Sequence, residues 1–142
     1  MELLKKENVQ IVKEARDWRE AIRISVTPLE NGNYVVPRYK EEIISNVESM
    51  GAYIVLAPNI ALPHARPEQG VLKSQIAITL FENEVKFENK EIPVRLFITL
   101  AAADSDSHLN ALMKISDLLQ DGETVEKILN SVNEEELYQY FT

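Results

Sequence analysis

The sequence predicts an α/β protein, a mixed sheet covered by helices on both faces. Apolar residues recur at helical spacing in Trp18, Ala21, Ile22, Val26 and Leu29, in Ile43, Ile44, Val47 and Met50, and in Leu109, Leu112, Ile115, Leu118 and Leu119. That period marks one buried helix face. Residues 74–81 (S-Q-I-A-I-T-L-F) alternate apolar and polar, and residues 91–102 (E-I-P-V-R-L-F-I-T-L-A-A) are almost continuously apolar, so both read as strands. The two kinds of segment interleave, which is the pattern of helices layered on a sheet. At 142 residues the chain is long enough for one real core, and the whole span, 1–142, reads as a single domain.

In chain order, residues 9–13 alternate and predict a short first strand. Asp17 suits the N-cap of the first helix, with Glu20 three positions on in a capping-box pattern. Trp18 falls on that helix's apolar stripe, where core packing is favoured over a stacking platform for a ligand. Pro28, late in the stripe, predicts a break or kink. Asn31-Gly32-Asn33 predicts a turn or C-cap. Pro37 suits the first turn of a second helix, and Gly51 its end. Residues 74–81 should be a central strand. Residues 82–91, rich in charge, predict an exposed hairpin or loop. In residues 91–102, Pro93 sits near the strand start, where proline is tolerated. Ser105 or Asp106 suits the cap of the next helix, with Gly122 ending it. Residues 124–131 and 133–141 predict two short closing helices, the second capped by Asn133 with Glu136 at the capping-box position.

The chemistry concentrates between residues 53 and 71. An apolar run at 54–57 meets Pro58 and Asn59. Ile60, Ala61 and Leu62 then deliver Pro63-His64-Ala65-Arg66-Pro67. Each proline fixes φ and pushes its predecessor toward extended geometry, so His64 should end an extended segment on stiffened backbone. The small apolar residues before it predict a partly desolvated imidazole in a shallow cup. A neutral imidazole, with an ordinary pKa near 6.5, is a nucleophile at neutral pH. His108 is the only other histidine. It lies in the first turn of a helix, whose N–H groups and positive end favour an anion, although the same position also suits a solvent-facing residue. The strand before it, ending near residue 102, should run beside the segment that carries His64.

Composition narrows the function classes. A net charge of −8 argues against nucleic acid or an anionic membrane as partner. With no cysteine there is no disulfide framework and no thiolate metal site. Two histidines without helical i, i+4 spacing give weak grounds for any metal centre. The first eight residues carry no apolar targeting segment, and the longest apolar run, 96–103, is too short to span a bilayer. A cytoplasmic location is expected, without membrane insertion and without a cofactor.

The run G-A-Y-I-V-L-A-P-N-I-A-L-P-H-A-R-P-E at residues 51–68, followed by D-S-H-L-N-A-L-M-K-I-S-D-L-L at 106–119, resembles the type-2 EIIA domain (mannitol/fructose superfamily) of the bacterial phosphoenolpyruvate-dependent sugar phosphotransferase system. I-A-L-P-H-A-R-P looks nearest the ascorbate-type branch. The resemblance runs from about Trp18 to the C-terminal helix. It implies a mainly five-stranded mixed sheet flanked by helices. It also implies that His64 is the phosphorylated nucleophile, that His108 is a donor to the phosphoryl oxygens, and that phospho-HPr is the phosphoryl source. The implied acceptor is the cysteine of an EIIB protein, which must be a separate polypeptide because this chain has no cysteine. An EIIC permease is engaged only indirectly, and the cargo would be ascorbate or a related sugar acid or alditol. In mannitol-type relatives an arginine on the second helix assists the histidine. The matching stretch here, Asn46-Val47-Glu48-Ser49, has none, which sets this chain apart from the mannitol branch. Arg66 is then a candidate to neutralise phosphoryl charge, against the alternative of a solvated turn residue. Ser105 and Ser107 could donate to phosphate, though capping suits them better. Two other readings stay open: a regulatory EIIA-like protein whose His64 phosphorylation controls binding to a target, and a relative that has lost its chemistry.

Overall fold

The computed structural model describes residues 4–87 and 90–142. In order these form β1 (Leu4–Val12), α1 (Trp18–Asn31), α2 (Arg38–Met50), β2 (Val55–Ala57), β3 (Asn59–Ala61), a 3-10 turn (Pro67–Gln69), β4 (Gln75–Phe87), β5 (Lys90–Ala101), α3 (Ser105–Leu119), α4 (Gly122–Leu129) and α5 (Glu134–Gln139). The strands make one five-stranded sheet in the order β1-β4-β5-β3-β2. β1 runs parallel to β4 and β3 parallel to β5, while β4–β5 and β2–β3 are antiparallel. The sheet is therefore mixed, as expected.

Strand alternation builds two cores. Ala77, Phe81, Phe97 and Ala101 face α1 and α2 and join Trp18, Ile22, Leu29, Tyr39 and Ile43. Ile76, Ile78, Leu80, Leu96, Ile98 and Leu100 face the other way and join Ala111, Ile115, Ile128 and Leu137 from α3, α4 and α5. Because successive side chains on a strand point to opposite faces, one strand pair can anchor both helical layers.

Several local expectations need correcting. Pro28 does not break α1, which runs on to Asn31. Proline removes the N–H that would bond the Ile24 carbonyl, but Gln10 Nε2 from β1 donates to that carbonyl at 2.9 Å, so no buried acceptor is orphaned. Glu20 accepts from the N–H of Arg16 rather than closing the box on Asp17, whose carboxylate does cap the Glu20 N–H. β1 begins at Leu4, five residues earlier than residues 9–13 indicate. The charged stretch 82–91 is mostly strand. Val85 and Phe87 point into the core, where Phe87 stacks on Trp18 with ring centroids 5.5 Å apart, while Glu82, Glu84 and Lys86 take the solvent side; residues 88 and 89 of that stretch lie outside the described residues. Met50 and Leu109, expected inward, are 63% and 57% exposed. The cap of α3 is Asp104, not Ser105 or Asp106, and accepts from the Ser107 N–H at 2.7 Å. Gly122 does not end α3; α3 stops at Leu119 and Gly122 opens α4 after Asp121.

Candidate active site

β2 and β3 form a tight hairpin in which Asn59 takes positive φ (69°). β3 lies parallel to β5, and after β3 ends the pairing persists for one more bond, Leu100 N–H to Pro63 O at 3.0 Å. His64 follows at once, on the backbone that Pro63 stiffens. Across the end of β5 the chain turns through Asp104 into α3, which places His108 opposite. The two imidazoles meet at 5.9 Å between ring centroids, crossing at 64°. The expected juxtaposition of the His64 segment and the strand before His108 is observed.

Both histidines open into a cleft of about 470 Å³, lined also by Asn46, Ser49, Met50, Tyr53, Ala65, Arg66, Pro67 and Gln69. His64 Nδ1 lies 2.6 Å from the Leu62 carbonyl oxygen. A carbonyl only accepts, so Nδ1 carries the hydrogen and Nε2 keeps its lone pair. Burial pushes the His64 pKa below its ordinary value, reinforced by His108 and opposed by the Leu62 hydrogen bond. The side chain is therefore a neutral imidazole with one free nitrogen in a half-buried, open cleft.

The backbone around His64 is held at three successive residues. The Tyr53 hydroxyl donates to the His64 carbonyl, and its ring meets the imidazole edge-on at 5.3 Å. The Ala65 N–H donates to the Tyr39 hydroxyl at 3.1 Å, and that hydroxyl donates to the Leu100 carbonyl at 2.8 Å. Tyr39 is fully buried, and burial pushes its pKa up to about 12. The Arg66 N–H donates to Gln69 Oε1 at 2.9 Å. Gln69 in turn pairs reciprocally with the Asn46 amide and donates to Glu42 at 3.2 Å. All four bonding positions of the Gln69 amide are thus used.

Arg66 stands at the rim. Its side chain is 75% exposed and its guanidinium pairs with Glu68 at 3.2 Å, so its charge is already partly met. Ser105 and Ser107 do not line the cleft. Among the described residues no group of three or more His, Asp or Glu is placed to hold a metal ion. Tyr39, Tyr53 and Gln69 are site residues that the motif reading missed. Tyr39 left a trace, since it precedes Ile43 by four positions on a buried stripe, where a tyrosine hydroxyl must find partners.

The family model described as "Phosphoenolpyruvate-dependent sugar phosphotransferase system, EIIA 2" matches residues 2–142. The chain belongs to the EIIA type-2 family. It is 39% identical over 130 residues to the mannitol-specific cryptic phosphotransferase enzyme IIA component of Escherichia coli strain K12, covering 92% of this chain and 88% of that one. It is 34% identical over 137 residues to the ascorbate-specific PTS system EIIA component of the same strain, covering 95% and 89%. The solution structure of the E. coli mannitol-specific cryptic enzyme IIA superposes with a TM-score of 0.93 at 36% identity, covering 99% and 95%. A structure titled as the complex of E. coli mannitol enzyme IIA with phosphorylated enzyme IIB matches the fold at TM-score 0.85 and 24% identity, covering 98% of each chain. This protein is thus a phosphotransferase-system phosphocarrier. EIIA components are phosphotransferase proteins that carry a phosphohistidine and pass the phosphoryl group on. No helix is long and apolar enough to cross a membrane, among the described residues.

Proposed function

We propose that His64 is the phosphorylated residue and that Nε2 is its nucleophile. The observation that carries this is the 2.6 Å contact from Nδ1 to the Leu62 carbonyl, which leaves Nε2 unprotonated and facing the cleft. The Nε2 lone pair attacks the phosphorus of phospho-HPr. The bond to the donor breaks, and the electron pair leaves with the donor's side chain. The product imidazole keeps its Nδ1 hydrogen, and Leu62 accepts from it as positive charge spreads over the ring. Phosphoryl transfer of this loose kind needs positioning and charge stabilisation above all. His108 supplies a ring N–H to the phosphoryl oxygens from the wall of the cleft, and Arg66 adds positive charge from the rim.

The acceptor is a separate EIIB protein, and its attacking group is a cysteine, a residue this chain lacks. The relative in complex with phosphorylated enzyme IIB supports an EIIB partner. Docking would cover Met50 beside the cleft and the exposed face of α3 that carries Leu109 and Met113, all more than half exposed. An EIIC permease and a cytoplasmic location follow from that role. The relatives named for ascorbate and mannitol support ascorbate or a related sugar acid or alditol as cargo. Transfer from phospho-HPr to His64→Gln, followed by label or mass, tests the reading. Abolished transfer is expected, and a normal rate would refute it.

A further inference from the structure

The hydroxyl of Tyr53 does a job that the two-histidine chemistry does not describe. Tyr53 sits in the short loop between α2 and β2, half-buried in the cleft wall, and donates to the carbonyl of His64. Asn46 of α2 lines the same cleft wall. Asn46 is locked to Gln69, and Gln69 to Glu42 and to the Arg66 N–H. One polar chain thus runs from α2 through Gln69 to the Arg66 N–H, and Tyr53 separately holds the His64 carbonyl two residues earlier. Burial pushes the Tyr53 pKa up, so the hydroxyl keeps its proton and remains a donor.

The tautomer of His64 depends on where its own backbone sits. Nδ1 reaches the carbonyl only two residues back, at Leu62, and that bond requires the tight path through Pro63 that places ring and acceptor 2.6 Å apart. Tyr53 is the side chain that grips the far end of this path. We infer that Tyr53 is a positioning residue that fixes the His64 backbone and thereby selects the imidazole tautomer with Nε2 free. Without it, the ring drifts toward the tautomer with the hydrogen on Nε2, which solvent-exposed histidines favour and whose Nε2, the nitrogen assigned to attack, has no free lone pair. This inference rests on the phosphocarrier reading for its consequence, but the tautomer itself is independent of any transfer.

The test is ¹⁵N NMR of the His64 imidazole in unphosphorylated wild type, Tyr53→Phe, Tyr53→Met and Tyr140→Phe, alongside phosphorylation rates from phospho-HPr. Tyr140 packs against the opposite face of the sheet and serves as the hydroxyl-loss control. Wild type and Tyr140→Phe should show the hydrogen on Nδ1. Tyr53→Phe should move it substantially to Nε2 and slow phosphorylation on the order of 10²-fold, the scale of a small misplacement at a reacting centre. Tyr53→Met, which also removes the hydroxyl, should shift the tautomer the same way, and it stands in should Tyr53→Phe fail to fold. An unchanged tautomer in the folded variants overturns the inference, whatever the rate. A wild type that takes up no phosphoryl group overturns the carrier reading instead, and the tautomer comparison still decides the role of Tyr53.

Discussion

His64 has one ring nitrogen committed to the Leu62 carbonyl and one left for chemistry, and its surroundings hold the ring neutral. The lowered pKa has a signed consequence. The folded protein sheds this proton at lower pH than the unfolded chain does. Folding is therefore favoured by this group above about pH 6.5, and that contribution is lost as pH falls through the folded value. An NMR titration of His64 should give a midpoint below 6.5, with phosphoryl acceptance persisting into that acidic range, and His64→Gln should remove the corresponding slope from the stability profile. A midpoint at or above 6.5 would contradict the desolvated site. Both histidines are legible in sequence, because a histidine between prolines and another at a helix start are chemically distinctive. Tyr53 and Gln69 are not. Their roles come from hydrogen bonds to backbone groups and to Asn46, 23 residues from Gln69, which only the folded chain creates. Arg66 is legible as a cation near the site, but its pairing with Glu68 is a local geometry that residue type does not disclose.

The elements hold the His64 segment by close packing of backbone on side chain. After the 3-10 turn, Gly70 adopts φ of 139°, and an added Cβ would lie 2.9 Å from Val36 Cγ2 and 3.2 Å from Tyr39 Cβ. Gly70→Ala should therefore cost about 1–3 kcal/mol by backbone strain and also push on Tyr39, which holds the Ala65 N–H. Slower phosphorylation should accompany the lower melting temperature. Gly122→Ala, where a Cβ meets nothing within 4 Å, should leave phosphorylation alone and change stability by no more than about 1 kcal/mol. Equal effects from the two would undercut the close-packing argument. Helix stripes and strand alternation are readable because they follow from period alone. Helix ends are less legible. Pro28 and Gly122 look like breakers, yet a carbonyl satisfied from β1 rescues the first, and an aspartate cap at Asp121 turns the second into a start. Residues 82–91 mislead because charge at alternate positions hides the inward Val85 and Phe87.

At the scale of the molecule, the mixed sheet brings the β3 end and the α3 start together because β3 and β5 are parallel neighbours. Sequence patterns supply the class and the layers, and the family resemblance supplies the strand count; the strand order needs long-range pairing that no local pattern encodes. The exposed apolar side chains Met50, Leu109 and Met113 are one product of that assembly. Two of them sit on stripes that a periodicity reading assigns to the core. The exposure of Met50 in the cleft wall, and of Leu109 and Met113 on the helix that carries His108, fits a chain that hands a phosphoryl group from one protein to another. Intact-mass spectrometry at mildly alkaline pH, after incubation with phosphoenolpyruvate, Enzyme I and HPr, tests that role most directly. One acid-labile phosphoryl group on wild type and none on His64→Ala is the predicted result. A phosphorylated His64→Ala, or an unmodified wild type, would contradict it.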